Sequence, residues 1–170
     1  IDIGDDAAAW QNDSSINMAT VDCLVQDVHF KLDKINWKEL GWTALAVSLR
    51  DMASMGGVPR YALISLALPE DKEVEDIADL YKGILELGQK FDIKVIGGNT
   101  SKAPIVFIDS IVFGNAVDSN IMLTRSSAIP GDRIAVTGHL GGAAGGLQII
   151  NNDLLFADSI KGPLMQALNR

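Results

Sequence analysis

From Gly41 to Gly57 the chain carries only two charges, Arg50 and Asp51, although Trp42, Leu45, Ala46, Val47, Leu49, Met52 and Met55 surround them. The stretch has a helix's punctuation. Asn36 stands as N-cap with Glu39 three residues later, a capping-box spacing, and Gly56, Gly57 and Pro59 stop the helix near Met55. A helix this apolar is buried. With 170 residues, 48% of them hydrophobic and 21% charged, the chain can supply the core it needs, as one domain or one and a fraction. Burying a carboxylate costs several kcal/mol unless a cation or hydrogen bonds compensate. Asp51 therefore either pairs with a positive group or binds a metal ion. Arg50, its neighbour in sequence, points about 100° away around the helix.

Around this helix lie segments rich in branched residues at Ile16 to Val25, Arg60 to Leu68, Lys94 to Gly97, Ile105 to Val117 and Arg133 to Thr137, bounded by Gly, Pro, Asn and Asp. These read as strands. A second helix is expected from about Lys72 to Phe91, with acidic residues in its first turns. Its apolar residues Val74, Ile77, Ala78, Tyr81, Ile84, Leu85 and Leu87 recur at helical spacing, so it covers a sheet. A third helix follows the glycines 141, 142, 145 and 146. Elements mixed in this order make an α/β or α+β domain, a mixed sheet flanked by helices. Internal repeats and low-complexity stretches are absent.

The formal charge of −8 argues against a nucleic-acid partner, because that affinity comes largely from basic residues neutralising phosphates. Polyphosphate can still be held if metal ions lie between. No apolar run approaches the roughly 18 residues of a membrane span. The single cysteine, Cys23, cannot form an internal disulfide and reads as a small buried apolar residue; with no signal-like start, a reducing cytoplasm is the expected compartment. The sequence starts at Ile1 without a methionine and stops at Arg170 within what reads as an element, as expected of part of a longer chain.

Several short constellations are suited to chemistry. Gly4-Asp5-Asp6-Ala7-Ala8 sets adjacent carboxylates beside small residues, which lets a hard cation approach, although Asp pairs after glycine also serve as solvated turns. Thr20 and Asp22 are two apart in a strand, so a hydroxyl and a carboxylate leave one face, whether toward a site or toward solvent. His29 precedes Phe30 at the end of that segment, in a structural or a functional role. Val95 to Ser101 reads as a buried strand entering a glycine turn with three oxygen-bearing side chains, able to offer N–H groups to phosphate and oxygens to a cation. It lacks the lysine of a P-loop, and no stretch has the dinucleotide-binding glycine pattern. The cluster after His139 also lacks a lysine and reads as close helix-to-strand packing. No Ser-His-Asp order and no cysteine metal pattern is present.

Taken in order, these stretches resemble the thiamine-monophosphate kinase family, whose kin include aminoimidazole ribonucleotide synthetase, selenophosphate synthetase and a hydrogenase maturation protein. The resemblance rests on Gly4 to Ala8, on Thr20-Val21-Asp22 through His29-Phe30, and on Asp51 to Gly56 with Pro59. It continues through Gly97-Gly98-Asn99-Thr100, and through Leu123-Thr124-Arg125 with Pro130-Gly131-Asp132. It implies a cytoplasmic enzyme moving the γ-phosphoryl of ATP to thiamine phosphate, giving thiamine diphosphate and ADP. The implied fold is an N-terminal ATP- and metal-binding domain over residues 1–124, which forms a homodimer through its sheet, and the start of a second α/β domain over 125–170. By matching motif positions, Asp6, Thr20, Asp22, Asp51 and Asn99 would hold Mg2+, His29 would touch thiamine phosphate, and Gly98, Asn99, Arg125 and Tyr81 would meet ATP. Such chemistry needs charge neutralisation and alignment more than a nucleophilic side chain.

Three positions depart from the family pattern. Val21 stands where a second hydroxyl residue is usual, Arg50 where a serine commonly precedes the acid, and Asn99 where an aspartate usually binds metal. Fewer oxygen ligands and one negative charge less should weaken one metal site, with Arg50 partly replacing a cation's charge. A related synthetase with another acceptor and a non-catalytic nucleotide-binding relative are the alternatives.

Overall fold

The computed structural model of the chain describes residues 4–12, 15–116, 122–136, 140–152 and 154–168. The cap at Asn36 forms as its sequence demands: its side chain accepts from the Glu39 N–H at 2.8 Å while the Glu39 carboxylate accepts from the Asn36 N–H at 3.4 Å. The first helix follows as the third element in chain order, after strands β1 (Ala8–Asn12) and β2 (Ser15–Val25), so α1 is Trp37–Ser54. Then come β3 (Gly57–Leu68), α2 (Val74–Lys90), β4 (Lys94–Lys102) and β5 (Phe107–Ala116), with α3 (Gly142–Asn152) and α4 (Asp158–Leu168) last. The fold is mixed α/β, with a five-stranded sheet ordered β1-β2-β5-β3-β4. The β3–β4 pair is parallel and the other pairs are antiparallel.

The chain divides into two compact units, 1–127 and 128–170. In the first, strand alternation sends Met18, Thr20 and Leu24 of β2, Ile108, Ser110 and Val112 of β5, and Ala62, Ile64 and Leu66 of β3 into the core beneath α1 and α2. At the centre of that interface two serines are fully buried. Ser48 of α1 and Ser110 of β5 have their hydroxyls 2.6 Å apart; the Ser48 hydroxyl also lies 2.7 Å from the Ser110 carbonyl, and Ser110 donates to the Ala44 carbonyl. Buried hydroxyls need such partners, and these join helix to sheet at one fixed rotation. The opposite face of the sheet is open. Across it, in register, run the rows Val21–Ile111–Leu63–Gly97 and Cys23–Asp109–Ser65–Asn99. Val21 and Tyr61 stand 59% and 47% exposed there. Cys23 is exposed on this face rather than buried, because it alternates with Asp22 and Leu24.

The glycine stretch after Ile96 is not a turn. It continues as edge strand β4, where the register with β3 shifts as Ala62↔Val95 gives way to Leu63↔Gly97, and Ile96 is exposed. A Cβ on Gly98 would stand 1.8 Å from the Ile64 carbonyl oxygen, so only glycine allows this approach. Strand β1 gives no strand signal in the sequence, since five residues of mixed polarity carry little period. No strand occupies 133–136, and Thr137 and His139 lie outside the described residues. In the second unit the glycine cluster packs α3 against a helix, not a strand: a Cβ on Gly146 would lie 2.5 Å from the Leu164 carbonyl. Helix α4 contains Gly162 and Pro163, residues that read as a break in a bare sequence.

Helices α1 and α2 cross backbone to backbone. A Cβ on Gly41 would stand 1.9 Å from the Leu80 carbonyl oxygen, and one on Gly83 1.9 Å from that of Lys38. Gly83→Ala would favour an isolated helix by about 1 kcal/mol. Here it is expected instead to lower stability by about 1–3 kcal/mol as the helices are forced apart, read as a reduced urea midpoint at unchanged slope.

Candidate functional site

Asp51 lies in the last turn of α1, one helical turn beyond Ser48, and so emerges over β2 on the helix-facing side of the sheet. There Thr20 Oγ1 is 3.2 Å from Asp51 Oδ2 and 3.3 Å from the Asp6 carbonyl oxygen, and its single proton can serve one of them at a time. Asp22, two residues along β2 on the same face, lies near enough to Asp51 for the two carboxyls to act on each other. The third carboxylate arrives from the first turn of the chain. Asp6 Oδ2 accepts from Ser54 Oγ at 2.8 Å, a hydroxyl that also lies 2.8 Å from the Asp51 carbonyl. Asp6 Oδ1 accepts from Arg125 Nε at 3.0 Å and from Arg125 Nη2. The Arg125 backbone N–H donates to Asp5 Oδ1 at 2.7 Å and its Nη1 to the Gly4 carbonyl at 3.3 Å. Ala7 N–H to Met55 Sδ, 3.0 Å, and Leu123 N–H to the Met55 carbonyl, 3.2 Å, pin both flanking segments to the end of α1.

The electrostatics differ from one carboxylate to the next. The Ser54 hydroxyl, and then the Arg125 guanidinium, hold the Asp6 carboxyl below its ordinary range, and Asp6 in turn raises Arg125. Burial, and then the Asp51 carboxylate, push Asp22 up, while Arg50 and His29 pull weakly the other way. Two carboxylates in contact repel unless a proton or a cation lies between them. Asp51 also sits at the negative end of the α1 dipole, where the last turn has no basic residue, and this favours a cation. Asp51 is half-buried and Arg50 exposed, so the helix is less enclosed at this end than its composition implies. Of the two readings left open for Asp51, no ion pair supports the first among the described residues.

The remaining expected site residues stand elsewhere. His29 closes the turn after β2, its Nδ1 accepting from the Val25 N–H at 3.0 Å. Gly98 and Asn99 lie on β4 at the far edge of the sheet, with Asn99 in a row of the open face and exposed. Tyr81 packs on α2 against the core. Val21 points to the open face, so the hydroxyl missing at this position takes nothing from the cluster. The sequence offers Ser54 only as part of the stretch Asp51 to Gly56 and Asp5 only as half of a carboxylate pair. Their roles come from contacts 48 and 120 residues distant, and no local pattern announces such contacts.

Hard oxygen donors (Asp22, Asp51 and Thr20, with Asp6 beside them) suit a divalent cation such as Mg2+. No group of three acidic, His or Cys side chains among the described residues is placed to hold a metal ion by itself. An open set of this kind fits an ion that keeps waters and phosphate oxygens in its shell.

A fold and cluster of this kind define a family, and the chain belongs to it: residues 4–117 match the AIR synthase related protein, N-terminal domain. Among curated relatives, the chain is 38% identical over 162 residues to the thiamine-monophosphate kinase of Escherichia coli (strain K12), covering 92% of this chain and 47% of that one. To the thiamine-monophosphate kinase of Bacillus subtilis (strain 168) it is 34% identical over 151 residues, covering 88% and 46%. A solved structure described as AaThiL complexed with AMPPCP and TMP superposes with a TM-score of 0.88 at 33% identity, over 96% of this chain and 52% of that one. The chain thus spans about half the length of these relatives.

The raised Asp22 carboxyl sets a pH dependence. The folded state binds this proton more tightly than the unfolded chain, whose carboxyl keeps the ordinary value of 3.8. The stabilisation by protonated Asp22 is full below 3.8 and is lost as pH rises through the higher folded value. In chelator at neutral pH, Asp22→Asn is therefore expected to unfold at a higher urea concentration than the parent, with the two midpoints converging below the ordinary carboxyl range. A variant less stable than the parent at neutral pH would contradict the repulsion.

Proposed function

We propose that this chain supplies the metal- and nucleotide-binding part of an ATP- and Mg2+-dependent kinase that phosphorylates thiamine phosphate, giving thiamine diphosphate and ADP. The observation that carries this reading is the convergence of Asp6, Thr20, Asp22 and Asp51 from three separated segments onto the end of α1. The names of the relatives, and the AMPPCP and TMP of the solved neighbour, supply the substrate classes. Bound Mg2+ would neutralise and align the phosphates. The chain's own part is to hold the oxygen donors in place. Thr20 orients the Asp51 carboxylate, Ser54 ties Asp6 to the helix, and Arg125 brings a guanidinium suited to phosphate oxygens. His29 is assigned to thiamine phosphate, and Gly98, Asn99 and Tyr81 to ATP, by resemblance; of the four, His29 acts on the carboxylate cluster, through its charge at Asp22. An asparagine at 99 can offer an oxygen to a metal, but not a charge.

Residues 1–124 are assigned to the N-terminal domain and 125–170 to the start of a second one. The open sheet face, with Val21, Leu63, Ile111 and Phe113, is the surface proposed for a homodimer. Among the described residues no helix is long and apolar enough to cross a membrane, and the acidic charge disfavours nucleic acid. The proposed compartment is the cytoplasm. Arg50 and Asn99 favour, as a second reading, a relative that binds nucleotide but uses another acceptor.

Asp51→Asn in the full-length protein is expected to lower thiamine-phosphate phosphorylation about 100-fold or more, in line with the loss of a preorganised charge group. Its unfolding temperature in chelator should be no lower than the parent's, because the repulsion with Asp22 is relieved. Millimolar Mg2+ should raise the parent's unfolding temperature and leave the variant's nearly unchanged. Full activity in the variant would remove Asp51 from the site, and ATP turnover that ignores thiamine phosphate would favour the second reading.

A further inference from the structure

Both oxygens of the Asp6 carboxylate are already engaged by the protein. Oδ1 is taken by two nitrogens of Arg125 and Oδ2 by the Ser54 hydroxyl. Asp22 and Asp51 make no ion pair among the described residues, so of the three carboxylates Asp6 is the one already neutralised by the protein. The backbone of Arg125 is held separately, through its N–H to Asp5 at 2.7 Å. Its side chain remains 65% exposed. The guanidinium can therefore turn away from Asp6 without moving the segment that carries it, and it gives up little buried surface in doing so.

Resting on the metal and nucleotide reading above, we propose that Arg125 is the internal counter-ion of this site: it occupies Asp6 until cation and polyphosphate arrive together, then exchanges the carboxylate for phosphate oxygens. A guanidinium matches both partners with the same fork of N–H donors. When Arg125 leaves, Asp6 is opened to the cation and a positive charge is freed for the phosphates, so each ligand raises the affinity of the other by the same factor. A cation alone must displace Arg125 without giving it a new partner, and binds weakly.

The test uses the full-length protein and Mn2+ as the probe ion, with free Mn2+ followed by its paramagnetic resonance signal, with and without the ATP analogue AMPPCP. Without nucleotide, Arg125→Gln should bind Mn2+ about two- to fivefold more tightly than the parent, the size of an exposed ion pair. It should also lose most of the gain in Mn2+ affinity that AMPPCP gives the parent. Arg125→Lys keeps the charge but not the fork, should fall between the two, and carries the test if the glutamine variant does not fold. Equal Mn2+ affinity in parent and variants without nucleotide overturns the exchange while leaving the metal site standing. Absence of Mn2+ binding in every protein, with or without AMPPCP, overturns the metal reading and the exchange with it.

Discussion

The hydrogen bonds between Ser48 and Ser110 set the geometry on which the rest of the first unit depends. A helix on a sheet can roll, and apolar packing alone resists rolling weakly because it has no direction. A hydroxyl buried on each side removes that freedom, since any rotation strands a polar group without water. Ser110 pairs in register with Asp22 of β2, and Ser48 precedes Asp51 by about one helical turn. The serine contact that locks the helix thus also places the two carboxylates against each other. Gly41 and Gly83 act from the other side, letting α2 press α1 down at backbone distance.

The cluster that results is a place of concentrated, poorly compensated negative charge at the end of a helix whose dipole adds to it. Stable proteins rarely keep such an arrangement without a use for it. On the Asp6 side a hydroxyl and a guanidinium meet one carboxylate. Among the described residues, the Asp22–Asp51 side is met by the Thr20 hydroxyl and by what proton or cation it can recruit.

Much of this was legible in the sequence. The cap at Asn36, the two long helices and the strands β2, β3 and β5 follow from period and punctuation, and the shared face of Thr20 and Asp22 follows from alternation. Asp51 was conspicuous as a carboxylate in an apolar helix. What stayed hidden depends on contacts distant in sequence. Ser54 and Asp5 gain meaning only when the chain's first turn meets the end of α1. The Gly97-Gly98 pair reads as a turn until β3 lies beside it, and then the same freedom serves a close parallel pairing. The residue type of Cys23 points inward, but the period of its own strand turns it outward.

The open face of the sheet carries one polar row, Cys23–Asp109–Ser65–Asn99, beside the apolar row of Val21, Ile111 and Leu63. Burial already pushes the Asp109 carboxyl up. A surface settling on this face would desolvate Asp109 further and so must bring a hydrogen-bond donor to that row, or meet the carboxyl with its proton on. An apolar surface alone would strand it. The row therefore acts as a selector by hydrogen-bond demand, admitting partners that answer it and penalising indiscriminate stacking of sheet on sheet.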